Sequence, residues 1–314
     1  MTEIRPDTAD DRRARPGLRM RAVVALLRAG GQRRMLGSAE GVHAALVKRD
    51  RKAKPVRVPG FVHKAASVMC EDVGSWPVYR VTPNAVAADA TVVFMHGGGF
   101  IGEVKRPHWS FVRTLNISVP AECVMPVYPL VPHAHAIEMV ATAAEVLART
   151  IERRGAEKTV VMGNSAGAGL ALAATQALLS RGEPLPARVV LISPWLDLSL
   201  SDPGLGALAE VDPFHQRPGL VEIGRLYADE LDTRDPRVSP LFGLVAGLPP
   251  LTVFCGTREM ALADARTLVA RARTEGVDVD YHEGRGLVHN YALMPTPEGH
   301  AATGVIIDAC RRAR

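Results

Sequence analysis

Apolar residues from position 66 onward are concentrated in short runs rich in β-branched side chains, and polar or glycine-rich segments separate these runs. Eight of the runs have the length and composition of strands: 67–72, 77–81, 91–95, 122–128, 159–162, 188–192, 251–255 and 277–281. A short Gly-Ser-Trp-Pro link joins the first two, which predicts an antiparallel hairpin. The later runs alternate with helical segments, which predicts a mainly parallel sheet with helices on both faces.

Helical periodicity appears both between the strands and before them. One segment has apolar residues on a single predicted face: Ile137, Val140, Ala141, Ala144 and Ala148. Near the N-terminus, a first helix is predicted from the spacing of Met20, Val23, Val24 and Leu27, and residues 38–48 form a second with Ser38 as its N-cap. Because these two helices precede the sheet, we expect residues 1–58 to belong to a cap, with residues 1–16 as a disordered or loosely docked tail.

The alternation of strands and helices is interrupted between residues 199 and 248. A turn-rich stretch is followed by a predicted amphipathic helix over residues 219–231, with Leu220, Ile223, Tyr227 and Leu231 on one face. We expect this insertion to complete the cap, while the rest of residues 59–314 forms the main α/β domain. Its apolar side chains either line a substrate pocket or belong to the core.

The charge of the chain is unevenly distributed. A chain of 314 residues suits one α/β domain with a modest insertion, and its formal net charge is +5. Residues 1–58 hold 15 Lys or Arg against 6 Asp or Glu, so the remainder is net negative. A basic arm of this kind binds nucleic acid or anionic lipid in some proteins, but no nucleic-acid motif accompanies it here. We interpret it as a solvated helix face and expect no nucleic-acid partner.

Cysteine usage and apolar segment lengths point to a cytoplasmic protein. The four cysteines lie far apart, mostly inside apolar runs: Cys70, Cys123, Cys255 and Cys310. That placement favours buried thiols over a disulfide framework or a zinc site, so we expect no metal. The apolar run 22–27 ends at Arg28 and is too short for a signal peptide or a membrane span.

Residues 159–176, TVVMGNSAGAGLALAATQ, predict a strand, a sharp turn and a helix. Gly163 and Gly167 flank Ser165, so the backbone can adopt the strained turn that presents a nucleophilic hydroxyl above a sheet. The amide of Ala166 then lies at a helix N-terminus, where an anionic tetrahedral intermediate is favoured. On its own a G-x-S-x-G pattern is a weak signal, since such turns also occur as plain loops.

A glycine-rich stretch upstream strengthens that interpretation. Residues 91–100, TVVFMHGGGF, form an apolar strand that ends in His96 and three glycines. Glycines 97–99 expose backbone N–H groups, as the oxyanion loop before the first helix of an α/β-hydrolase does. The alternatives are a flexible turn or a phosphate loop, and the sequence has neither the G-x-G-x-x-G nor the Gly-Lys-Ser/Thr pattern of the latter.

A serine nucleophile needs a histidine base and an acid that orients it. His289 follows the last predicted strand and is the best candidate for the base, with His300 as the runner-up. The other two histidines after Ser165 are less suitable, because His215 lies in the presumed cap and His282 ends a strand. The acid should follow the seventh strand, where Glu259 and Asp264 are the choices. We favour Glu259 because it is still in the turn at the strand's carboxyl end, whereas Asp264 falls on the next helix and suits its dipole.

Taken together, these motifs resemble the hormone-sensitive-lipase family of α/β-hydrolase carboxylesterases. The similarity covers roughly residues 60–310 and rests on six stretches: 96–99, 163–167, 193–199, 235–241, 256–259 and 286–291. It implies an α/β-hydrolase fold, an eight-stranded mainly parallel sheet with a helical cap, and no cofactor. It further implies the triad Ser165, Glu259 and His289, with oxyanion donors at Gly98, Gly99 and Ala166.

Two positions depart from that family's usual pattern, which affects what the resemblance implies. Asn164 stands where an Asp usually precedes the nucleophile, so a hydrogen bond made by that acid must be replaced or lost. Glu259 stands where Asp is commoner and has one more methylene to accommodate.

The resulting hypothesis is a serine carboxylesterase acting on small-molecule esters of short to medium acyl chain through an acyl-enzyme. Acyl transfer or lactone hydrolysis on a secondary metabolite would use the same chemistry with another acceptor. A non-catalytic small-molecule receptor is a third alternative, since function does not follow from fold. A homodimer is compatible with this fold class.

Overall fold

The computed structural model describes residues 16–29, 31–52 and 54–312, so the tail predicted for residues 1–16 lies almost wholly outside the described residues. The described strands form one sheet: β1 (Ala66–Val73), β2 (Trp76–Pro83), β3 (Ala90–Met95), β4 (Ala121–Pro126), β5 (Thr159–Asn164), β6 (Arg188–Ile192), β7 (Leu251–Arg258) and β8 (Val279–Val288). Their order is β1-β2-β4-β3-β5-β6-β7-β8. Strand β2 is antiparallel to β1 and β4, and the other pairs are parallel. The predicted hairpin and the mainly parallel sheet are confirmed, although β8 starts two residues later than predicted and runs to residue 288.

Helices lie on both faces of this sheet: α1 (Leu18–Ala29), α2 (Gln32–Met35), α3 (Ala39–Asp50), α4 (Gly60–His63), α5 (Arg106–Ser118), α6 (Ala136–Arg154), α7 (Ala166–Ser180), α8 (Leu205–Val211), α9 (Arg217–Ala228), α10 (Ala261–Thr274) and α11 (Pro297–Arg311). Successive side chains of the central strands point to opposite faces. Phe94 packs in the core that includes α5 and α11, whereas Met95 packs in the core that includes α6 and α7. Burial on both faces explains why these strands are continuously apolar.

None of the described helices combines the length and the hydropathy that a bilayer crossing requires.

The predicted helix faces are correct in part. In α9, Leu220, Ile223 and Tyr227 are buried as predicted. In α6, however, Ile137 is 50 % exposed and Ala141 is exposed, so that part of the predicted face is wrong. Helix α6 contacts α7 as well as the sheet, and its buried side is therefore broader than one narrow stripe.

The cysteines show how the edge of the sheet differs from its centre. Cys123, Cys255 and Cys310 are buried free thiols, as predicted. Cys70 is also free but exposed, which corrects the prediction for that residue. It lies on β1, the edge strand, most of whose residues are exposed or only partly buried.

The N-terminal segment and the 199–248 insertion pack against each other. Ser38 caps α3 by accepting a hydrogen bond from the Gly41 amide at 3.1 Å, as predicted. The amide of Gly219 donates to the carbonyl of Leu36 at 2.9 Å, so the start of α9 is fixed to the turn before α3. Helix α9 in turn reaches the glycine-rich loop, where the rings of Tyr227 and Phe100 stack with centroids 3.9 Å apart.

The first turn of α7 approaches the ends of β3 and β5 unusually closely. A Cβ atom at Gly167 would overlap the carbonyl oxygens of Met95 and His96, and one at Gly163 would overlap the backbone of Gly167. Both contacts are with backbone, which cannot swing aside. Only glycine therefore permits this packing, and the packing sets the position of the intervening turn.

Gly167→Ala should destabilise the protein, because the added methyl group must displace backbone. We expect a loss of about 1–3 kcal/mol in the free energy of unfolding, measured by urea denaturation. The matched control is Gly304→Ala in α11, where no atom lies within 4 Å of the added carbon. That variant should be more stable by roughly 0.5–1 kcal/mol. Equal, small effects of both substitutions would contradict the close-packing argument.

Candidate active site

Ser165 occupies a strained turn between β5 and α7. Its backbone has φ 55° and ψ −125°, a region that non-glycine residues rarely adopt and that costs about 1–3 kcal/mol. The turn is held because the Ser165 amide donates to the carbonyl of Ile192 on β6 at 2.9 Å. The residue as a whole is only 8 % exposed. The predicted strand, turn and helix are thus all present, with the hydroxyl at the carboxyl end of the sheet.

Ser165, His289 and Glu259 form one continuous chain of hydrogen bonds. His289 Nε2 lies 2.9 Å from Ser165 Oγ, and His289 Nδ1 lies 2.6 Å from Glu259 Oε2. Glu259 and His289 directly follow β7 and β8, so both side chains arise at the same edge as Ser165. A carboxylate only accepts hydrogen bonds, so Nδ1 carries the proton. Nε2 is then free to accept the serine hydroxyl proton.

The carboxylate of Glu259 is fully buried and has two further donors. Its Oε1 accepts from the Ser193 hydroxyl at 2.8 Å and from the Gly256 amide at 2.6 Å. Ser193 Oγ also accepts from the amide of Asn290, next to His289, at 2.9 Å. Ser193 therefore fixes both the acid and the loop that carries the base. The sequence analysis included it in a quoted stretch but assigned it no role.

Asp264, the alternative acid, lies elsewhere in the network. It is on α10, and its Oδ2 accepts from the amides of Leu196 at 2.8 Å and Asp197 at 3.0 Å. Burial raises the pKa of Asp264 to about 8, in spite of these two hydrogen bonds. Its carboxyl group holds the loop after β6. The structure thus brings Glu259, and not Asp264, together with His289.

The glycine-rich loop faces the same edge of the sheet. Gly98 and Gly99 have φ values of 141° and 60°. Within the described parts of the chain, the amides of Gly98, Gly99 and Ala166 have no hydrogen-bond acceptor. Free amides from two segments beside a serine hydroxyl are the arrangement that binds an oxyanion.

Asn164 makes a hydrogen bond at the position where the family usually has Asp. Its Oδ1 accepts a hydrogen bond from the Gly97 amide at 2.8 Å, and the residue is buried. The amide oxygen thereby links the end of β5 to the glycine-rich loop. A hydrogen bond at this position is present without a carboxylate.

His96 is a structural part of the glycine-rich loop. Its ring stacks on Tyr128 with centroids 4.2 Å apart, and its Nδ1–H donates to the carbonyl of Gly97 at 2.9 Å. The Tyr128 hydroxyl donates to the carbonyl of His96. Burial lowers the pKa of His96 to about 4, so the ring is neutral near pH 7. These contacts fix the loop conformation.

Neither His300 nor His282 contacts the serine hydroxyl, which is hydrogen-bonded to His289. His300, the runner-up base, is exposed on α11, and His282 stacks on Phe254 within β8. Among residues 16–29, 31–52 and 54–312, no group of three or more His, Cys, Asp or Glu side chains is arranged to hold a metal ion.

A second acid–imidazole pair, which the sequence analysis missed, lies beside the base. The Asp212 carboxylate is fully buried and accepts from the amides of Phe214 and Met260 and from His215 Nδ1, at 2.8–3.0 Å. The His215 ring contacts the His289 ring edge to face, with centroids 4.4 Å apart. Burial opposes the charge on His215, but the Asp212 carboxylate outweighs it and raises the pKa of His215. The only available signal in the sequence was the Asp-Pro-Phe-His spacing in the insertion.

Comparisons with known proteins agree with this geometry. The family described as alpha/beta hydrolase fold matches residues 92–293. The chain is similar to a triacylglycerol lipase of Mycobacterium tuberculosis, 32 % identical over 223 residues, which are 71 % of this chain and 46 % of the lipase. An acetyl-hydrolase of Streptomyces hygroscopicus is 31 % identical over 68 % of this chain and 73 % of its own length. A crystal structure of an esterase from the bacterial hormone-sensitive lipase family has a TM-score of 0.73 and 27 % identity, covering 88 % of this chain and 97 % of the esterase.

The raised pKa of Asp264 makes stability depend on pH. The pKa rises from 3.8 to about 8 on folding, so the folded state binds this proton more tightly than the unfolded state. The contribution of this carboxyl to the free energy of unfolding is therefore fully present below pH 3.8 and declines as the pH approaches 8. Asp264→Asn keeps an oxygen for both amides and has no proton to lose, so the decline should become shallower.

Urea denaturation between about pH 5 and pH 8 measures this slope in the wild type and in Asp264→Asn. Asp229→Asn, at an exposed position, is the matched control and should keep the wild-type slope. A uniform loss of stability in Asp264→Asn with an unchanged slope would contradict the assignment.

Proposed function

The chain belongs to the α/β-hydrolase family, on the hormone-sensitive-lipase branch that its motifs resemble, and we propose that it is a serine carboxylesterase. In this proposal Ser165 is the nucleophile, His289 the general base and acid, and Glu259 the orienting acid. The observation that carries it is the unbroken chain of hydrogen bonds from Ser165 through His289 to Glu259, beside free amides. The similar proteins named lipase, acetyl-hydrolase and esterase support it.

Acylation begins with attack of Ser165 Oγ on the ester carbonyl carbon. His289 Nε2 accepts the hydroxyl proton as the new bond forms, and the carbonyl oxygen becomes an oxyanion. When the tetrahedral intermediate collapses, the same nitrogen returns the proton to the leaving alcohol. Water then repeats the sequence on the acyl-enzyme, releasing the carboxylic acid and the free serine.

Glu259 stabilises the imidazolium that forms in each step. Its short hydrogen bond fixes the tautomer and the ring orientation of His289. Ser193 and the Gly256 amide hold the other carboxylate oxygen, so the acid cannot rotate away. The side chain of Glu259 is one methylene longer than that of Asp, and these contacts keep its carboxylate aligned with His289.

The amides of Gly98, Gly99 and Ala166 are the proposed oxyanion donors. The amide of Ala166 lies at the N-terminus of α7, where the helix dipole adds to the attraction for negative charge. Loss of one donor of this kind typically reduces the rate about 10²–10³-fold. Preorganised donors act mainly on the transition state, because the charge they bind exists only there.

We further propose that residues 1–58 and the insertion at about 199–248 form the cap. Their contacts with each other and with the glycine-rich loop support this division of the chain. Phe100 after β3, Trp195 after β6 and Tyr227 in the insertion have bulky side chains that lie together, which favours short to medium acyl chains. A cytoplasmic location and a homodimer stay predictions.

Two alternatives use the same site. Acyl transfer or lactone opening would differ only in the acceptor that attacks the acyl-enzyme. A receptor would not need an aligned nucleophile and base, so the aligned site favours an enzyme.

Ser165→Ala should abolish turnover of 4-nitrophenyl acylates, with a fall in kcat of about 10⁴-fold or more and an unchanged unfolding curve. The acyl series from acetate upward measures the acyl preference, and added alcohols separate hydrolysis from transfer. Ser110→Ala, an exposed serine on α5, is the control and should retain wild-type rates. Wild-type turnover by Ser165→Ala would refute the nucleophile, and ester binding without turnover by the wild type would favour the receptor.

A further inference from the structure

A cleft of about 480 Å³ lies where the end of α1 meets the turn before α9. Its described lining consists of Arg28, Ala29, Gly31, Arg33, Arg34 and Gln216. Three of these six residues are arginines, so the lining of the cleft is strongly basic. The esterase chemistry derived above uses none of them.

The arginines of this cleft are not bound by carboxylates of the described residues. Within the described chain, Arg28, Arg33 and Arg34 form no ion pair. Arg33 donates to the backbone carbonyl of Asp212, whose carboxylate is occupied by His215 and by backbone amides. Burial and the charge of Arg28 lower the pKa of Arg258, although the Asp212 carboxylate opposes this shift, so a fourth guanidinium lies within electrostatic range of Arg28. Several arginines that line one cleft without a paired carboxylate favour a bound anion.

The cleft is linked to the proposed catalytic site through the segment that carries Asp212 and His215. Gln216 lines it and directly follows His215, whose ring lies against His289. His215 Nδ1 is bound to Asp212, and Nε2 of the same ring has no partner among the described residues. One short segment, residues 212–216, therefore connects the proposed base to the arginines.

We propose that this cleft is a subsite for an oxyanion, a carboxylate or a phosphate, carried by the ester substrate itself. Arg28 and Arg34 bind the anion, and His215 lies between it and the reacting ester. Guanidinium groups match the paired oxygens of both anions, which suits two or more arginines around one group. The proposal rests on the proposed function and narrows the substrate class to anionic esters.

A concave site beside the proposed base favours a substrate group over an extended membrane surface. The basic residues are concentrated near the N-terminus, and residues 59–314 are net negative. The positive charge of the cleft is therefore confined to this part of the protein. An anion bound there would orient one end of the substrate while the ester reaches Ser165. Specificity would then come from binding energy remote from the reacting bond.

The test uses two pairs of esters that differ in one anionic group. The first pair is 4-nitrophenyl hexanoate and 4-nitrophenyl hydrogen glutarate, and the second is 1-monobutyrin and 1-butyrylglycerol 3-phosphate. We expect the wild type to prefer the anionic member of at least one pair in kcat/KM. Arg28→Gln and Arg34→Gln should each reduce that preference by about tenfold or more, mainly through KM. Arg33 is left unchanged, because it also supports the Asp212 turn.

Arg113→Gln is the matched control, since Arg113 is exposed on α5 away from the lining residues, and it should keep the wild-type preference. No preference in either pair, or a preference unaffected by Arg28→Gln and Arg34→Gln, would overturn the subsite while esterase activity stands. Arginine-dependent binding to phosphatidylglycerol vesicles without a preference for soluble anionic esters would also overturn it, in favour of a membrane surface.

Calorimetric titration of Ser165→Ala separates this proposal from the proposed function, because binding requires no turnover. Tighter binding of 4-nitrophenyl hydrogen glutarate or butyrylglycerol phosphate than of the neutral partner, lost in Arg34→Gln, supports the subsite even if the wild type hydrolyses no ester. Equal binding of charged and neutral partners refutes it.

Discussion

The site depends on one steric constraint, the contact of the first turn of α7 with the backbone at the ends of β3 and β5. Gly163 and Gly167 leave no room for a side chain there, so the helix starts immediately after the strand. Ser165 is consequently held at φ 55°, with its hydroxyl above the sheet and the Ala166 amide unpaired. The strain in this turn is offset by the surrounding core, which is buried on both faces of the sheet.

Around that turn, buried hydrogen bonds join the ends of neighbouring strands. Glu259 after β7, His289 after β8 and Ser193 after β6 are connected directly. A buried carboxylate is costly unless it has donors, and the Glu259 carboxylate has three. Two more buried acids support the same edge from outside: Asp264 holds the loop after β6, and Asp212 holds the start of α10 and His215. Glu259 therefore orients the base, whereas Asp264 and Asp212 stabilise the loops around it.

Much of this arrangement could be predicted from the sequence because its signals are local. The eight strands, the turn at Ser165 and the glycine-rich loop each show their pattern within about ten residues. Ser193 contacts Glu259, Asp212 contacts Met260, and His215 contacts His289, and each contact joins segments far apart in the chain, which a local pattern does not record. Exposure of Cys70 and Ile137 depends on which neighbours cover β1 and α6, which periodicity alone does not record.

The most direct test of the account is covalent trapping of the nucleophile. The wild-type protein is treated with a fluorophosphonate, and the modified residue is identified by peptide mass spectrometry. Because His289 Nε2 lies 2.9 Å from Ser165 Oγ and unpaired amides lie beside it, we expect a single adduct on Ser165 that forms more slowly in His289→Gln. Failure of the folded protein to react, or labelling of another serine, would contradict it.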